Sequence, residues 1–207
     1  MRKLTSILAI LFLGLVSTKL AQAGTCNGVS ATANLVTNCS FGTGFFTGWS
    51  GTSTTDPFSG IDSGDPFAIT PTPFGGQPFE AFLGSVQVDD TLSQTLATVA
   101  GQEYTIEFAL LNDTTPAPTA PNNFTVDFGG TTLFSETNAP ADAYTLYTFE
   151  GVATSDSTLL SFISENSAGD FELDSTSVSA VPEPGSFMLL GTGLVTLAGV
   201  VRRRLSC

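Results

Sequence analysis

Tyr104–Leu110 reads YTIEFAL, with a large apolar residue at every second position and threonine, glutamate and alanine between them. Successive side chains of a β-strand point to opposite faces, so this pattern predicts a strand with one face in a core. Phe124–Phe128 repeats it as FTVDF and ends at Gly129 and Gly130, a pair typical of a tight hairpin turn. Leu160–Ser164 alternates in the same way. These stretches predict antiparallel β-structure.

The pattern continues outward from these stretches. Tyr144–Phe149 and Phe171–Leu173 also alternate, and turn-forming residues separate the runs. Two proline-rich stretches, Asp56–Pro78 and Asp113–Asn122, predict long surface loops. Many short strands with turns between them are typical of an antiparallel β-sandwich. We therefore predict one all-β domain over residues 24–180.

Charge is distributed very unevenly along the chain of 207 residues. It has 19 Asp and Glu residues, six Lys and Arg residues and no histidine, which gives a formal net charge of −13. Every acidic residue except Glu183 lies between Gly24 and Val181. The basic residues all lie near the two ends, at Arg2, Lys3, Lys19, Arg202, Arg203 and Arg204.

This distribution excludes several classes of function. A nucleic-acid groove needs cations, and catalysis with a histidine base, Schiff-base chemistry and phosphate clamps need residues that the central segment lacks. Carboxylate catalysis remains open, and a glycosidase needs two carboxyl groups facing each other across a cleft. Asp89 and Asp90 point apart on a strand, however. Asp170, Glu172 and Asp174 share one strand face. We predict neither enzymatic activity nor a nucleic-acid partner.

The N-terminus has the three parts of a secretory signal peptide. Arg2 and Lys3 form a charged start, Leu4–Val16 is apolar, and Ala21–Ala23 supplies the small-x-small pattern that signal peptidase cleaves. A membrane anchor is the alternative, but the apolar run is shorter than the roughly 20 residues that a membrane-spanning helix needs. We predict a signal peptide at residues 1–23.

The C-terminus combines a proline motif, an apolar span and a basic cluster. Val181–Gly185 reads VPEPG, and its two prolines favour an extended, protease-accessible junction. Residues 186–201 are apolar or small, which predicts a transmembrane helix that just crosses a thin bilayer. Arg202, Arg203 and Arg204 should stay on the cytoplasmic side and retain the chain in the membrane. An ordinary tail anchor or a buried helix is the alternative.

This tail strongly resembles the PEP-CTERM sorting signal, which also circulates under the label "ice-binding protein C-terminal domain". The resemblance divides residues 181–207 into a motif at 181–185, a transmembrane span at 186–201 and a basic tail at 202–207. It implies that an exosortase-type membrane transpeptidase recognises Pro182, Glu183 and Pro184 and processes the chain there. It also implies a Gram-negative bacterium that makes exopolysaccharide. The inner-membrane-anchored precursor would then reach the cell surface or the extracellular matrix.

The central domain resembles galactose-binding-like jelly rolls, the fold of many carbohydrate-binding modules. Asn34–Trp49 is similar to their opening segment, and Leu92–Leu96 leading into Tyr104–Ile106 is similar to their middle strands. Phe171–Val178 is similar to their closing strand. The resemblance implies a jelly-roll β-sandwich and leaves the ligand-binding residues unidentified.

The same resemblance implies a structural calcium ion with Asp174 as a ligand. Members usually carry glutamate where this chain has Gly42 and a double aspartate where it has Asp174 and Ser175. One strong ligand is therefore missing, and Ca²⁺ takes about six to eight oxygens. The alternative is an exposed acidic residue on an end strand. A break in the alternation between Leu173 and Val178 predicts a β-bulge near Asp174.

Three cysteines occur in the chain. Cys26 and Cys39 remain after both ends are processed, and two thiols in an exported domain normally pair. A disulfide that closes this short loop contributes about 3 kcal/mol in the loop-entropy model. Cys207 follows the arginines and would lie in the reducing cytoplasm until the tail is removed. We predict a structural Cys26–Cys39 disulfide.

The aromatic residues leave two interpretations open. Trp49 is the single tryptophan and could stack on a sugar, although its flanking phenylalanines favour a position in the core. Tyr104, Tyr144 and Tyr147 could form a sugar platform, but the alternation turns some of them inward.

These features together predict an exported, non-catalytic β-sandwich. Its work would be structural or adhesive, in the exopolysaccharide or biofilm layer. The alternative is a carbohydrate-binding module with a defined glycan ligand. The predicted partners are signal peptidase, an exosortase and extracellular polysaccharide, and no cofactor is predicted apart from the implied calcium.

Overall fold

The computed structural model describes residues 26, 33–62, 74–76, 78–114 and 121–182. This part of the chain forms nine β-strands and two short 3₁₀ helices, at Thr52–Thr54 and Phe74–Gly76. The strands are β1 (Ser59–Asp62), β2 (Glu80–Leu83), β3 (Asp90–Ala97), β4 (Glu103–Asn112), β5 (Asn122–Phe128), β6 (Thr131–Thr137), β7 (Thr145–Val152), β8 (Ser157–Asn166) and β9 (Phe171–Ala180).

The strands form two antiparallel sheets. One has five strands in the order β1-β2-β9-β4-β7, and the other has four in the order β3-β8-β5-β6. The closing strand β9 pairs with β2 on one side and with β4 on the other, so it lies at the centre of the larger sheet. The predicted all-β antiparallel sandwich is confirmed.

Aromatic side chains fill the space between the sheets. Phe108 of β4 is fully buried, and its ring lies 5.6 Å from the ring of Phe162 and 6.4 Å from that of Phe124, both on the opposite sheet. Burial of each such side chain stabilises the fold by roughly 1.5–3 kcal/mol. The alternation in Tyr104–Leu110 and Phe124–Phe128 therefore identified the core faces of two strands that pack against each other.

The predicted turn at Gly129 and Gly130 joins β5 to β6. Both residues have positive φ angles, 60° and 81°, as a tight two-residue hairpin turn requires. A Cβ at Gly129 would also lie 3.2 Å from Thr158 Cγ2, which favours glycine there.

One predicted loop is partly wrong. Within Asp56–Pro78, residues Ser59–Asp62 form β1, which pairs with β2. Gly60 allows this pairing, because a Cβ at that position would lie 2.6 Å from the Phe82 ring. The short, half-buried strand gives too little alternation to be recognised in the sequence. Of the other predicted loop, the described residues Asp113, Thr114 and Pro121 lie outside the strands, whereas Asn122 is the first residue of β5.

The two terminal segments lie outside the described residues. The signal peptide at 1–23 and the transmembrane span at 186–201 therefore stay predictions. Among the residues that the structure describes, no helix is both long and apolar enough to cross a membrane.

Candidate functional site

The predicted β-bulge lies in β9. Glu107 of β4 pairs with Ser177, and Ala109 pairs with Asp174, so Ser175 and Thr176 both stand opposite a single β4 residue. Ser175 has a φ of 48°, in the left-handed region that a bulge residue can occupy. The bulge prediction is confirmed, and the bulge turns the strand immediately after Asp174.

Asp174 is fully buried, and the alternative prediction of an exposed acid on an end strand is wrong. The reason is topological, because β9 lies between β2 and β4 rather than at an edge. Leu173 faces the core, so Glu172 and Asp174 lie on the opposite face of the five-stranded sheet. We call this face, with Glu80 of β2, the acidic face.

The acidic face carries three carboxyl groups on two neighbouring strands, Glu80 on β2 and Glu172 and Asp174 on β9. Glu80 is adjacent in β2 to Ala81, whose partner in β9 is Leu173, so Glu80 lies across from Asp174. Tyr144 donates its hydroxyl to Glu80 Oε2 at 2.5 Å. Glu172 Oε2 and Asp174 Oδ2 are both buried without a hydrogen-bond partner.

Burial governs the protonation of this face. It raises the pKa of Glu172 to about 9, and the nearby carboxylates of Glu80 and Asp113 add to the rise. It raises the pKa of Asp174 to about 8, against a lowering by hydrogen bonding to Ser175. At neutral pH both carboxyl groups therefore hold protons.

Two further groups of the acidic face are affected by the same burial. It raises the pKa of Glu80, although the hydrogen bond from Tyr144 opposes the rise. Burial also raises the pKa of the Tyr144 hydroxyl, and the charge of Glu80 adds to it. The Tyr144 hydroxyl therefore stays protonated and remains a donor to Glu80.

Sequence reasoning recognised Glu172 and Asp174 but missed Glu80 and its partner Tyr144. Glu80 follows directly after the proline-rich stretch, where alternation is short, and 64 positions separate it from Tyr144. No local pattern marks such a pair.

The predicted disulfide between Cys26 and Cys39 is confirmed, with Cα atoms 5.9 Å apart. Residues 33–39, which we call the N-terminal segment and which include Cys39, lie against the bulge of β9. Leu35 N donates to Val178 O at 2.8 Å, and Thr176 N donates to Cys39 O at 2.8 Å. The disulfide therefore lies where the N-terminal segment meets the closing strand.

Trp49 is in the core, as its flanking residues favour. It is buried, its ring lies 5.6 Å from that of Phe41 and 5.9 Å from that of Phe162, and Nε1 donates to Asn38 O. The ring is buried beside two other aromatic rings, so it is not available to stack on a sugar.

The three tyrosines do not share a surface. Tyr104 is buried, and its hydroxyl accepts a hydrogen bond from Val99 N. Tyr144 belongs to the acidic face. Tyr147 is half-buried on β7, with its ring 5.4 Å from Phe108. A platform of all three tyrosines is therefore excluded.

The tail motif begins where the folded domain ends. Val181 N donates to Glu103 O at 2.9 Å, and Gln102 Nε2 donates to Val181 O at 2.8 Å. The next residue, Pro182, is exposed. Glu183, Pro184 and Arg202–Arg204 lie outside the described residues, so their predicted roles stay predictions.

A family profile described as the PEP-CTERM protein-sorting motif matches residues 180–204. The chain carries a PEP-CTERM sorting motif. This motif indicates an exported, membrane-anchored precursor of the kind that an exosortase processes. The match covers the tail and overlaps the β-sandwich only at Ala180, the last residue of β9.

No curated protein sequence matches this chain. Among solved structures, the enzymatically active domain of a bacteriophage CBA120 tailspike protein is 15% identical, with a TM-score of 0.49 over 72% of this chain. This chain covers only 21% of that domain.

Two smaller proteins have nearly full-length matches. A CBM61 module in complex with β-1,4-galactotriose is 15% identical, with a TM-score of 0.43; the match covers 72% of this chain and 99% of the module. A putative sugar-binding protein from Bacteroides thetaiotaomicron is 10% identical, with a TM-score of 0.46 over 72% of this chain and 100% of that protein. These likenesses concern the β-sandwich and assign no ligand to this chain.

Proposed function

We propose that the processed protein is a non-catalytic structural or adhesive component of the exopolysaccharide layer. The PEP-CTERM motif at residues 180–204 carries this proposal, because such a motif is typical of exported proteins that an exosortase processes. Signal peptidase would first remove residues 1–23. Exosortase would then act at Pro182–Pro184, and the sandwich would be released to the cell surface or matrix.

The physical properties of the domain support such a role. A covalent disulfide and a core of stacked aromatic rings suit a protein that must persist outside the cell. Between Gly24 and Val181 the chain has carboxylates and no Lys, Arg or His. Such a surface repels polyanions and favours neutral polysaccharide or cation-bridged contacts.

The processing step is tested with the variant Pro182→Ala with Glu183→Ala, expressed in a bacterium that has the exosortase. We expect the variant to keep its tail and stay in the inner-membrane fraction, while the wild type appears with reduced mass outside it. Pro140→Ala with Glu150→Ala is the matched control, because both residues are exposed in the domain and distant in sequence from the tail. Identical mass and fractionation of wild type and test variant would reject the proposed cleavage motif.

The second candidate is a carbohydrate-binding module with a defined glycan, and the surroundings of Tyr147 favour it. The ring is half-buried, 4.7 Å from Phe134 and 6.5 Å from Phe149. Burial raises the pKa of its hydroxyl, and the nearby carboxylates Glu136 and Asp142 add to the rise. Aromatic surface with a few polar groups beside it is the usual composition of a small-ligand site.

A glycan array with the processed protein separates the two candidates. Saturable binding to one class of glycan, lost in Tyr147→Leu, supports the module. Retention of the protein in the exopolysaccharide layer without such binding supports the structural role. Leucine is also a large apolar side chain and preserves packing at the edge of the core. Loss of binding would therefore reflect loss of the aromatic ring and hydroxyl.

A further inference from the structure

The implied calcium ion does not fit the donor set of this chain. Gly42 supplies no carboxylate, and Oδ1 of Asp174 already accepts the Ser175 N–H at 2.5 Å. No three His, Cys, Asp or Glu side chains of the described residues are gathered so that they could hold a metal ion. A calcium site needs about six to eight oxygens, several of them from carboxylates. The contact between the N-terminal segment and β9 must therefore be stabilised by other groups.

The pairing of β9 shows why its second half needs a partner other than β2. Strand β2 pairs with Phe171–Leu173 only, so on that side the strand beyond Asp174 faces no other β-strand. Buried backbone groups without partners are costly, by about 1–3 kcal/mol each. The N-terminal segment lies along this gap, where Leu35 and Cys39 bond to the backbone of Val178 and Thr176.

Asn34 completes this pairing with its side chain. Its Nδ2 donates to Thr176 O at 3.1 Å, and its Oδ1 accepts from Val178 N at 2.9 Å. The amide thus acts as the peptide group of a missing neighbouring strand. Oδ1 also accepts from Val36 N at 3.0 Å, which fixes the side chain to its own segment.

The disulfide is part of the same arrangement. Asn34 Nδ2 lies 3.0 Å from Cys26 Sγ, and Cys39 supplies the carbonyl that accepts from Thr176 N. Asn34, Cys26 and Cys39 are all buried. Thr176 O and Cys39 O both already accept hydrogen bonds.

We propose that Asn34 and the Cys26–Cys39 disulfide form a clasp that holds the N-terminal segment on the bulge of β9 and does the work of a structural calcium ion. The domain then depends on an oxidising environment and not on a divalent cation. The clasp closes only after export, because cytoplasmic thiols are kept reduced. Once closed, it is unaffected by acidic polysaccharide that sequesters calcium.

The test is thermal unfolding of the processed protein, with and without EDTA and with and without dithiothreitol. Dithiothreitol supplies two electrons and two protons and converts the disulfide to two thiols. We expect reduction to lower the Tm by roughly 6–12 °C. EDTA on the oxidised protein should change the Tm by less than about 1 °C, since no ion bound to the folded state is removed.

Asn34→Ala tests whether the side chain and the disulfide act as one unit. In the oxidised protein it should lower the Tm by roughly 4–10 °C, because Thr176 O and Val178 N lose their partner. In the reduced protein the loss should fall to about half or less, because the segment is already loosened. Asn123→Ala is the matched control: this asparagine binds Asp89 and Glu165 on the other sheet, so its effect should be equal in both redox states.

Three results would overturn the proposal. The first is stabilisation that saturates at micromolar calcium and disappears in Asp174→Asn. The second is an unchanged Tm on reduction. The third is an Asn34→Ala effect of the same size in oxidised and reduced protein. A gradual rise at millimolar calcium that equal ionic strength of NaCl reproduces is charge screening and supports it.

Discussion

Strand β9 passes through two polar environments only a few residues apart. At the clasp, the backbone groups of Thr176 and Val178 are paired with the side chain of Asn34. On the acidic face, Glu172 Oε2 and Asp174 Oδ2 have no hydrogen-bond partner. Both regions are buried, so burial does not distinguish them; the presence of a complementary partner does.

The difference determines how each region responds to solution conditions. The clasp consists of neutral groups and a disulfide, so its contribution does not depend on pH across the neutral range. The acidic face contains groups that ionise, and an ionised carboxyl group in a buried site without a cation is costly. The stability of the domain should therefore depend on redox state through one region and on pH through the other.

The largest expected effect is a loss of stability as pH rises. The unfolded chain ionises these carboxyl groups near 3.8 and 4.5, whereas the folded protein holds the protons until about pH 8 for Asp174 and about pH 9 for Glu172. Between these limits the folded state binds more protons, so the free energy of unfolding falls with rising pH. We expect the loss between pH 5 and pH 8 to be several kcal/mol, measured by chemical denaturation.

The variant Glu172→Gln with Asp174→Asn separates this effect from the other carboxylates. Both amides are nearly isosteric and do not ionise, so stability should become much less dependent on pH above pH 5. Glu150→Gln on the exposed side of β7 is the control and should keep the wild-type slope. Equal slopes in all three proteins would show that the acidic face is not the origin.

A smaller effect is expected from Tyr144→Phe. The substitution keeps the ring, which packs 5.8 Å from Phe74, and removes the hydroxyl that donates to Glu80 Oε2. Leaving a buried acceptor without its donor costs about 1–3 kcal/mol, so the Tm should fall by roughly 2–10 °C. The loss should be larger where Glu80 is ionised, because a carboxylate depends more on a donor. Tyr104→Phe is the control for removal of a tyrosine hydroxyl, because the Tyr104 hydroxyl accepts a hydrogen bond from a backbone N–H. If the loss in Tyr144→Phe does not depend on pH, Tyr144 does not act as the donor to an ionised Glu80.

The strands with clearly alternating apolar and polar residues could be predicted from the sequence. Tyr104–Leu110 and Phe124–Phe128 have one apolar face each, and both lie where the pattern placed them. Alternation carries no information about whether a strand lies at the centre or at the edge of its sheet. For this reason the alternative that placed Asp174 on an exposed end strand was wrong. The polar run of β9 from Asp174 to Ser177 suggests exposure, yet neighbours on both sides bury it.

The candidate sites depend on contacts between distant parts of the chain. Asn34 lies 142 positions from Thr176, and Glu80 lies 64 from Tyr144. The disulfide was predictable because two cysteines in an exported domain have few alternatives. The role of Asn34 was not predictable, since asparagine is common in turns and nothing nearby in the sequence marks its partner.

The smallest expected effect is that of salt on the Tm. It distinguishes burial from charge repulsion as the cause of the raised pKa values. The absence of cations between Gly24 and Val181 suggests that repulsion among carboxylates raises their pKa values, but the structure puts burial first for both Glu172 and Asp174. Salt screens exposed charges, as the Debye length falls from about 30 Å at 0.01 M to about 10 Å at 0.1 M, and acts much less on buried ones. We expect NaCl at pH 8 to raise the Tm by roughly 2–4 °C, and equally in wild type and in Glu172→Gln with Asp174→Asn. If salt instead removes the difference between pH 5 and pH 8 in the wild type, repulsion dominates and burial of the acidic face is the lesser cause.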